Sequence, residues 1–227
     1  MTALKIAENK ITARCYENMK VGDLIVYSGY SIADKLIQWK TGSPYSHVAI
    51  VCDVNDSLRS FDRVLIIEAS TSTQLNNFNG QAAVRGAQVH SLTEWIDAYK
   101  DQGEIWWLPL STKLSTDEQA RMQAWLSDIF DQQVQYSNLK TLLLGLNLTF
   151  GLNLQSPDKS CFFCSELVTR ALQIAGVVNS FIDPTQQTPK DVANFSCVDR
   201  HSLKSLTSED VVNFSCVKAQ ALTPLAL

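Results

Sequence analysis

The sequence predicts an α+β domain, on three observations. Short apolar runs bounded by Gly, Asp and Ser read as strands. Other segments repeat their apolar residues every three to four positions, as helices packed by one face do. A chain of 227 residues, 45% hydrophobic and 19% charged, can bury one sizeable core and is too apolar for a disordered tail.

The elements follow in chain order. After the Gly22-Asp23 turn, Leu24, Ile25, Val26 and Tyr27 form a short buried strand ended by Gly29. Ser31 to Lys40 is a short helix, with Ile32, Leu36 and Trp39 at helical spacing, Ser31 as its N-cap and Gly42 just past its end. In the next segment alternation sets Tyr45, His47, Ala49 and Val51 on one face and Val48, Ile50 and Cys52 on the other, so His47 sits on a strand. Val64 to Ala69 is another buried strand, and Glu68 within it is a carboxylate that needs a partner. Ala87 to Tyr99 reads as a strand and then a helix capped by Ser91 or Thr93, and Ile105 to Leu110 as a Trp-rich strand. Ser115 to Phe130 begins with a capping signature, Ser-Thr-Asp-Glu, and sets Met122, Leu126, Ile129 and Phe130 on one helical face. The most regular helix opens at Cys164, whose face continues through Leu167, Val168, Ala171, Leu172 and Ala175 to Gly176.

Two segments stand apart. Residues 139–154, LKTLLLGLNLTFGLNL, are Leu-rich but shorter than the roughly 20 residues of a membrane span. A buried hairpin or helical excursion is expected there, in preference to a cap that touches lipid. In the tail, DVANFSCV at 191–198 and DVVNFSCV at 210–217 match at seven of eight positions. Two copies are too few for a stacked repeat architecture, which points to a local duplication.

Charge and cysteine content narrow the function classes. With 19 Lys and Arg against 23 Asp and Glu, and no basic run, nucleic acid is not an expected partner. The first twenty residues contain no apolar signal segment, so a cytoplasmic location is expected, with the six cysteines kept as thiols.

A cysteine at a helix start feels the positive end of the helix dipole, which favours thiolate and makes Cys164 a candidate nucleophile. Of three histidines, His47 alone sits mid-strand after a polar approach, whereas His90 closes a strand and His201 lies between the repeat copies. His47 is the natural base, and Glu68 on the next strand is the best-placed group to orient it.

The segments GDLIVYSG, WKTGSPYSHVAIV, VLIIEAS and CFFCSELVTRALQIAGV, in that order, resemble the circularly permuted branch of the NlpC-type papain-like hydrolases, the YiiX-like group related to lecithin retinol acyltransferase. The resemblance spans roughly Val21 to Val198; its most specific parts are TGSPYSHV at 41–48 and CSELV at 164–168. It implies a permuted papain-like fold, an antiparallel sheet or small barrel with packed helices. Cys164 is then the nucleophile, His47 the general base and Glu68 the orienting residue, with no metal and no cofactor. The Cys164 backbone N–H would be one oxyanion donor and Tyr45 a second, while Asp23 has a structural role. Thr188-Pro189 matches a family position after the helix, which brings the first repeat copy into the domain. Residues 1–20 are then an N-terminal extension, 21–204 the domain, and 205–227 a C-terminal extension with the second copy.

The expected reaction is hydrolysis or acyl transfer at an amide, thioester or ester carbonyl. The substrate would be a peptide or lysine-linked compound, a cell-wall fragment or a lipid acyl group. Rival readings remain beside it: a catalytically inactive papain-like module that binds a peptide or acyl chain, a Cys161/Cys164 redox pair, a structural zinc site, and a structural Glu68 paired with a residue such as Arg85.

Overall fold

The computed structural model describes residues 18–55, 63–132 and 163–207. Six strands form one open antiparallel sheet: β1 (Leu24–Gly29), β2 (His47–Val54), β3 (Val64–Ser70), β4 (Gly86–Ser91), β5 (Gly103–Leu108) and β6 (Lys204–Leu206), in the order β4-β3-β2-β1-β5-β6. Of the two forms expected, sheet or small barrel, the sheet is the one found. Five α-helices accompany it among the described residues: α1 (Ile32–Thr41), α2 (Leu92–Tyr99), α3 (Thr116–Asp131), α4 (Phe163–Ala175) and α5 (Pro189–Ala193).

The topology follows from what each element must bury. β1 to β4 step outward in chain order, each paired with the one before. The chain then returns to β5 on the other side of β1 through α2, whose Leu92, Trp95 and Ile96 cover one sheet face together with Ile25, Ala49, Val51 and Ile66. On the opposite face, Met122, Leu126 and Ile129 of α3 and the inward stripe of α4 pack on Val26, Val48, Ile50 and Ile67. Side chains that alternate along each strand thus feed two apolar layers, the arrangement that covers both faces of a sheet.

Local signals hold these elements where the sequence puts them. Ser31 and Ser115 each form a capping box, with Asp34 and Glu118. Gly42 and Gly176 take positive φ at the ends of α1 and α4. Asp23 is buried and accepts from Trp107 Nε1 at 2.9 Å, Leu110 N at 3.0 Å and Lys20 N at 2.9 Å, so it ties β1 to the end of β5.

Helix α1 departs from expectation in its packing. The helix is present, but none of its residues is buried, and Ile32, Leu36 and Trp39 are 91%, 60% and 81% exposed. Polar contacts hold it instead: Gln38 Nε2 donates to Ser28 Oγ at 3.2 Å and Gly29 O at 3.0 Å, and Lys190 Nζ donates to Thr41 O at 3.1 Å. Asp34 lies so close to Gly29 that a side chain at this position would collide with it.

The first repeat copy is part of the domain. Val192 and Ala193 on α5 are buried with Val198, which bridges to Leu110. The expected boundaries at 21 and 204 cut through packed structure, because Met19 is fully buried and β6 runs from 204 to 206 with Leu206 only 5% exposed. A chain ended after Leu203 is therefore expected to melt about 5 °C below one ended after Thr207, from about 2 kcal/mol of lost leucine burial. Equal melting temperatures for the two truncations would show β6 to be dispensable. The Leu-rich segment, Cys15, Cys161, Cys216 and the second repeat copy lie outside the described residues. No helix among the described residues is long and apolar enough to cross a membrane.

Candidate active site

Cys164, His47 and Glu68 line one cleft of about 350 Å³. They reach it from different layers. Cys164, in the first turn of α4, belongs to the core on the α3/α4 face, while Glu68 on β3 shares the strand face of Ile66, which packs with α2. His47 is the first residue of β2, at the end of the strand. Its predecessor is clamped to β1: Ser46 N donates to Tyr27 O at 2.8 Å, and Ser46 Oγ accepts from Gly29 N at 3.0 Å. This buried serine sets where β2 begins and hence where the imidazole projects.

The start of α4 is held equally firmly. Ser165 Oγ donates to Gln187 O at 2.6 Å, and Thr169 Oγ1 donates to Ser165 O at 2.7 Å. At the far end, Arg121 from α3 donates to the Ile174 and Ala175 carbonyls, placing a cation where the helix dipole is negative.

His47 Nε2 lies 2.5 Å from Glu68 Oε2, which leaves Nδ1 as the ring nitrogen for the thiol. The imidazole is 20% exposed and the carboxylate 2%. Burial alone would push the Cys164 thiol up. The His47 charge and hydrogen bond, with backbone N–H groups of Val48 and Ser165, outweigh it and hold the thiol below its ordinary value. Burial likewise pulls against a charged His47, but the Cys164 and Glu68 charges raise its pKa well above the usual histidine range. Glu68 is lowered despite burial, mainly by His47, with smaller help from His90 and the Trp95 indole. The three shifts describe one linked state, thiolate, imidazolium and carboxylate, in which each charge supports the next.

Cys52 shows what burial does without such partners. Its thiol donates to Leu65 O at 3.4 Å, and desolvation, with Asp53 nearby, pushes its pKa up to about 12. Cys197 is raised by burial as well. Only Cys164, among the described cysteines, is shifted toward thiolate.

Tyr45 is not where the alternation put it. It precedes β2, its ring packs edge-on against Trp106 with centroids 5.8 Å apart, and it belongs with the α3/α4-face core rather than the cleft lining. Pro44 and the Ser46 clamp precede the start of β2 at His47, and Tyr45 is not among the residues that line the cleft. Among the described residues Glu68 forms its ion pairs with His47 and, at 3.7 Å, His90, and not with Arg85. No group of three or more described His, Cys, Asp or Glu residues is placed to hold a metal ion.

Three cleft features escaped the sequence reading: the Ser46 clamp, the Trp95 wall and the neighbourhood of His90. Trp95 packs against Tyr99 and Tyr27, with centroids 5.0 Å and 6.0 Å away, and this aromatic wall keeps the His47–Glu68 pair in a poorly polarisable setting where charge attraction is strong. Its only trace in the sequence was helical spacing. No model of a known protein family matches the chain and no curated protein sequence does, so its activity has to be argued from this cleft.

Proposed function

We propose that this chain is a cysteine hydrolase or acyltransferase of the permuted papain-like kind, cleaving an amide, thioester or ester bond through Cys164 and His47. The observation that carries the reading is the ordered contact series from the Cys164 thiol through His47 to Glu68 within one open cleft.

In the proposed reaction the Cys164 thiolate attacks the substrate carbonyl carbon, and the new C–S bond moves the carbonyl electron pair onto oxygen. The Cys164 backbone N–H stabilises that oxyanion. His47 then gives its proton to the leaving amine, alcohol or thiol as the tetrahedral species collapses to an acyl-enzyme. For hydrolysis His47, now neutral, takes a proton from water, which attacks the thioester carbonyl and releases the acid. The thiolate and imidazolium re-form. Glu68 stays ionised throughout, holding the ring and offsetting its charge.

The cleft lining favours a polar substrate. Ser31, Ser70, Thr71, Ser72, Gln74 and Gln102 offer hydroxyls and amides suited to a peptide or lysine-linked amide more than to a bare acyl chain. The direct test is iodoacetamide labelling of each cysteine across pH, read by peptide mass spectrometry. Cys164 is expected to label fast well below the roughly 8.5 of a free thiol, while Cys52 and Cys197 stay slow. Uniform labelling of the three would rule the reading out and favour a binding module.

A further inference from the structure

The repeat in the tail is longer than its DVANFSCV core. At an offset of 19, residues 207–225 match residues 188–206 at ten positions, because Thr188, Leu203 and Leu206 recur as Thr207, Leu222 and Leu225. The structure of the first copy shows what its place on the domain demands. Thr188 and Asp191 form the capping box that starts α5: Thr188 Oγ1 donates to Asp191 Oδ2 at 2.6 Å, and Asp191 N donates to Thr188 Oγ1 at 3.2 Å. Val192, Val198 and Leu206 are buried, and Phe195 and Cys197 are half-buried against the same core as α4. All seven of these residue types recur in the tail. Arg200, His201, Lys204 and Ser205, which are exposed, do not.

The remaining contacts at this place are made by backbone, which any sequence supplies. Ser165 Oγ donates to Gln187 O just before it, Ser111 N donates to Cys197 O at 2.7 Å, and Asp199 N donates to Pro109 O at 2.9 Å. The differences between the copies favour the first, which is the one seated. Pro189, preorganised for the first turn of α5, becomes Ser208. Ala193, 2% exposed, becomes Val212, whose added methyl groups crowd a packed position. Lys190, whose Nζ donates to Thr41 O at the end of α1, becomes Glu209.

We propose that residues 188–206 and 207–225 are alternative occupants of one docking place on the domain, and that the tail takes it within the same chain when the first copy leaves. The tail starts where the first copy stops, so its local concentration favours its own chain over a second molecule. The exchange leaves residues 188–206 as a loop between Gln187 and Thr207, and the entropy of closing such a loop grows only slowly with its length. With the tail seated, Glu209 stands where Lys190 tied α1 down. Ser31, Asp34 and Ile37 of this helix and its cap line the cleft, so the exchange reaches the cleft wall. Nothing in the exchange depends on Cys164 being the nucleophile.

Cys197 and Cys216 hold the same place in the two copies, so each reports whether its copy is seated. The test is iodoacetamide labelling of both, read by peptide mass spectrometry beside the melting temperature, in the full-length parent, Val192→Asp and Val192→Asp/Val211→Asp. In the parent Cys197 is expected to label slowly and Cys216 fast. Val192→Asp sets a carboxylate in a fully buried position and is expected to expel the first copy. Labelling of Cys197 should then rise about tenfold and that of Cys216 fall about tenfold, with melting close to the parent's. The double variant has no apolar occupant left, so both cysteines should label fast and melting should drop well below the single variant's. A Val192→Asp protein that keeps the parent's labelling pattern, or that labels and melts like the double variant, overturns the inference. Protection of Cys216 found only in a dimer overturns it as well, because the tail would then dock on a second copy.

Discussion

Cys164→Ala is expected to lower turnover of any amide, thioester or ester substrate by about 10³-fold or more, with the fold intact. The size follows from the site. The thiol is the group that would form the covalent bond, and the neighbours that depress its pKa, His47 and the N–H groups of Val48 and Ser165, have no other nucleophile to act through. The side chain is 3% exposed and packs at the start of α4, so alanine removes one sulfur from a well-supported helix, and circular dichroism should be unchanged. The measurement is turnover of a peptide-amide and thioester panel by parent and variant, after a hit is found with the parent. Full turnover by Cys164→Ala would end the assignment. A parent that binds members of the panel and turns over none of them would point to the binding module.

His47→Ala should cost about 10²- to 10⁴-fold in kcat, the usual worth of a positioned acid–base group. It should also return Cys164 toward, and through burial above, its free-thiol value, since burial is the largest influence left on it. The parent's pH profile carries the sign of both shifts. As pH rises from acid, kcat/KM should climb through the lowered Cys164 ionisation as thiolate forms. It should fall again only when His47 loses its proton, and because the His47 pKa is raised, that limb should lie above the ordinary histidine value near 6.5. His47→Ala should abolish the alkaline fall and move the acid limb upward. A variant that keeps the parent's bell would show that His47 does not carry the proton.

The chemistry-bearing helix was legible in the sequence because its information is local. The face of Cys164, Leu167, Val168, Ala171, Leu172 and Ala175 repeats at helical spacing, Gly176 closes it, and all six side chains are 3% exposed or less. Capping residues are local as well, which is why Ser31, Ser91 and Ser115 cap the helices they were expected to cap. Residues at the margins of elements read less well. Tyr45 obeyed the alternation of a strand that had not yet begun, and the Ile32, Leu36 and Trp39 stripe predicted the form of α1 but not which way it faces.

By itself, then, the sequence determined the class of fold, the position of most elements and the identity of a cysteine, a histidine and a glutamate worth bringing together. Local backbone preference and hydrophobic period carry that much, because each depends on neighbours within a turn or a strand. Tertiary structure decided the rest. Only sheet register sets Glu68 opposite Gln88 and beside His90, only the Ser46 clamp aims His47 at Glu68 Oε2, and only packing of α4 on the sheet delivers Cys164 to the cleft from the other face. These contacts join residues far apart in the chain, and the charges of thiol, imidazole and carboxylate take their values from burial and from one another, which exist only once the chain has folded.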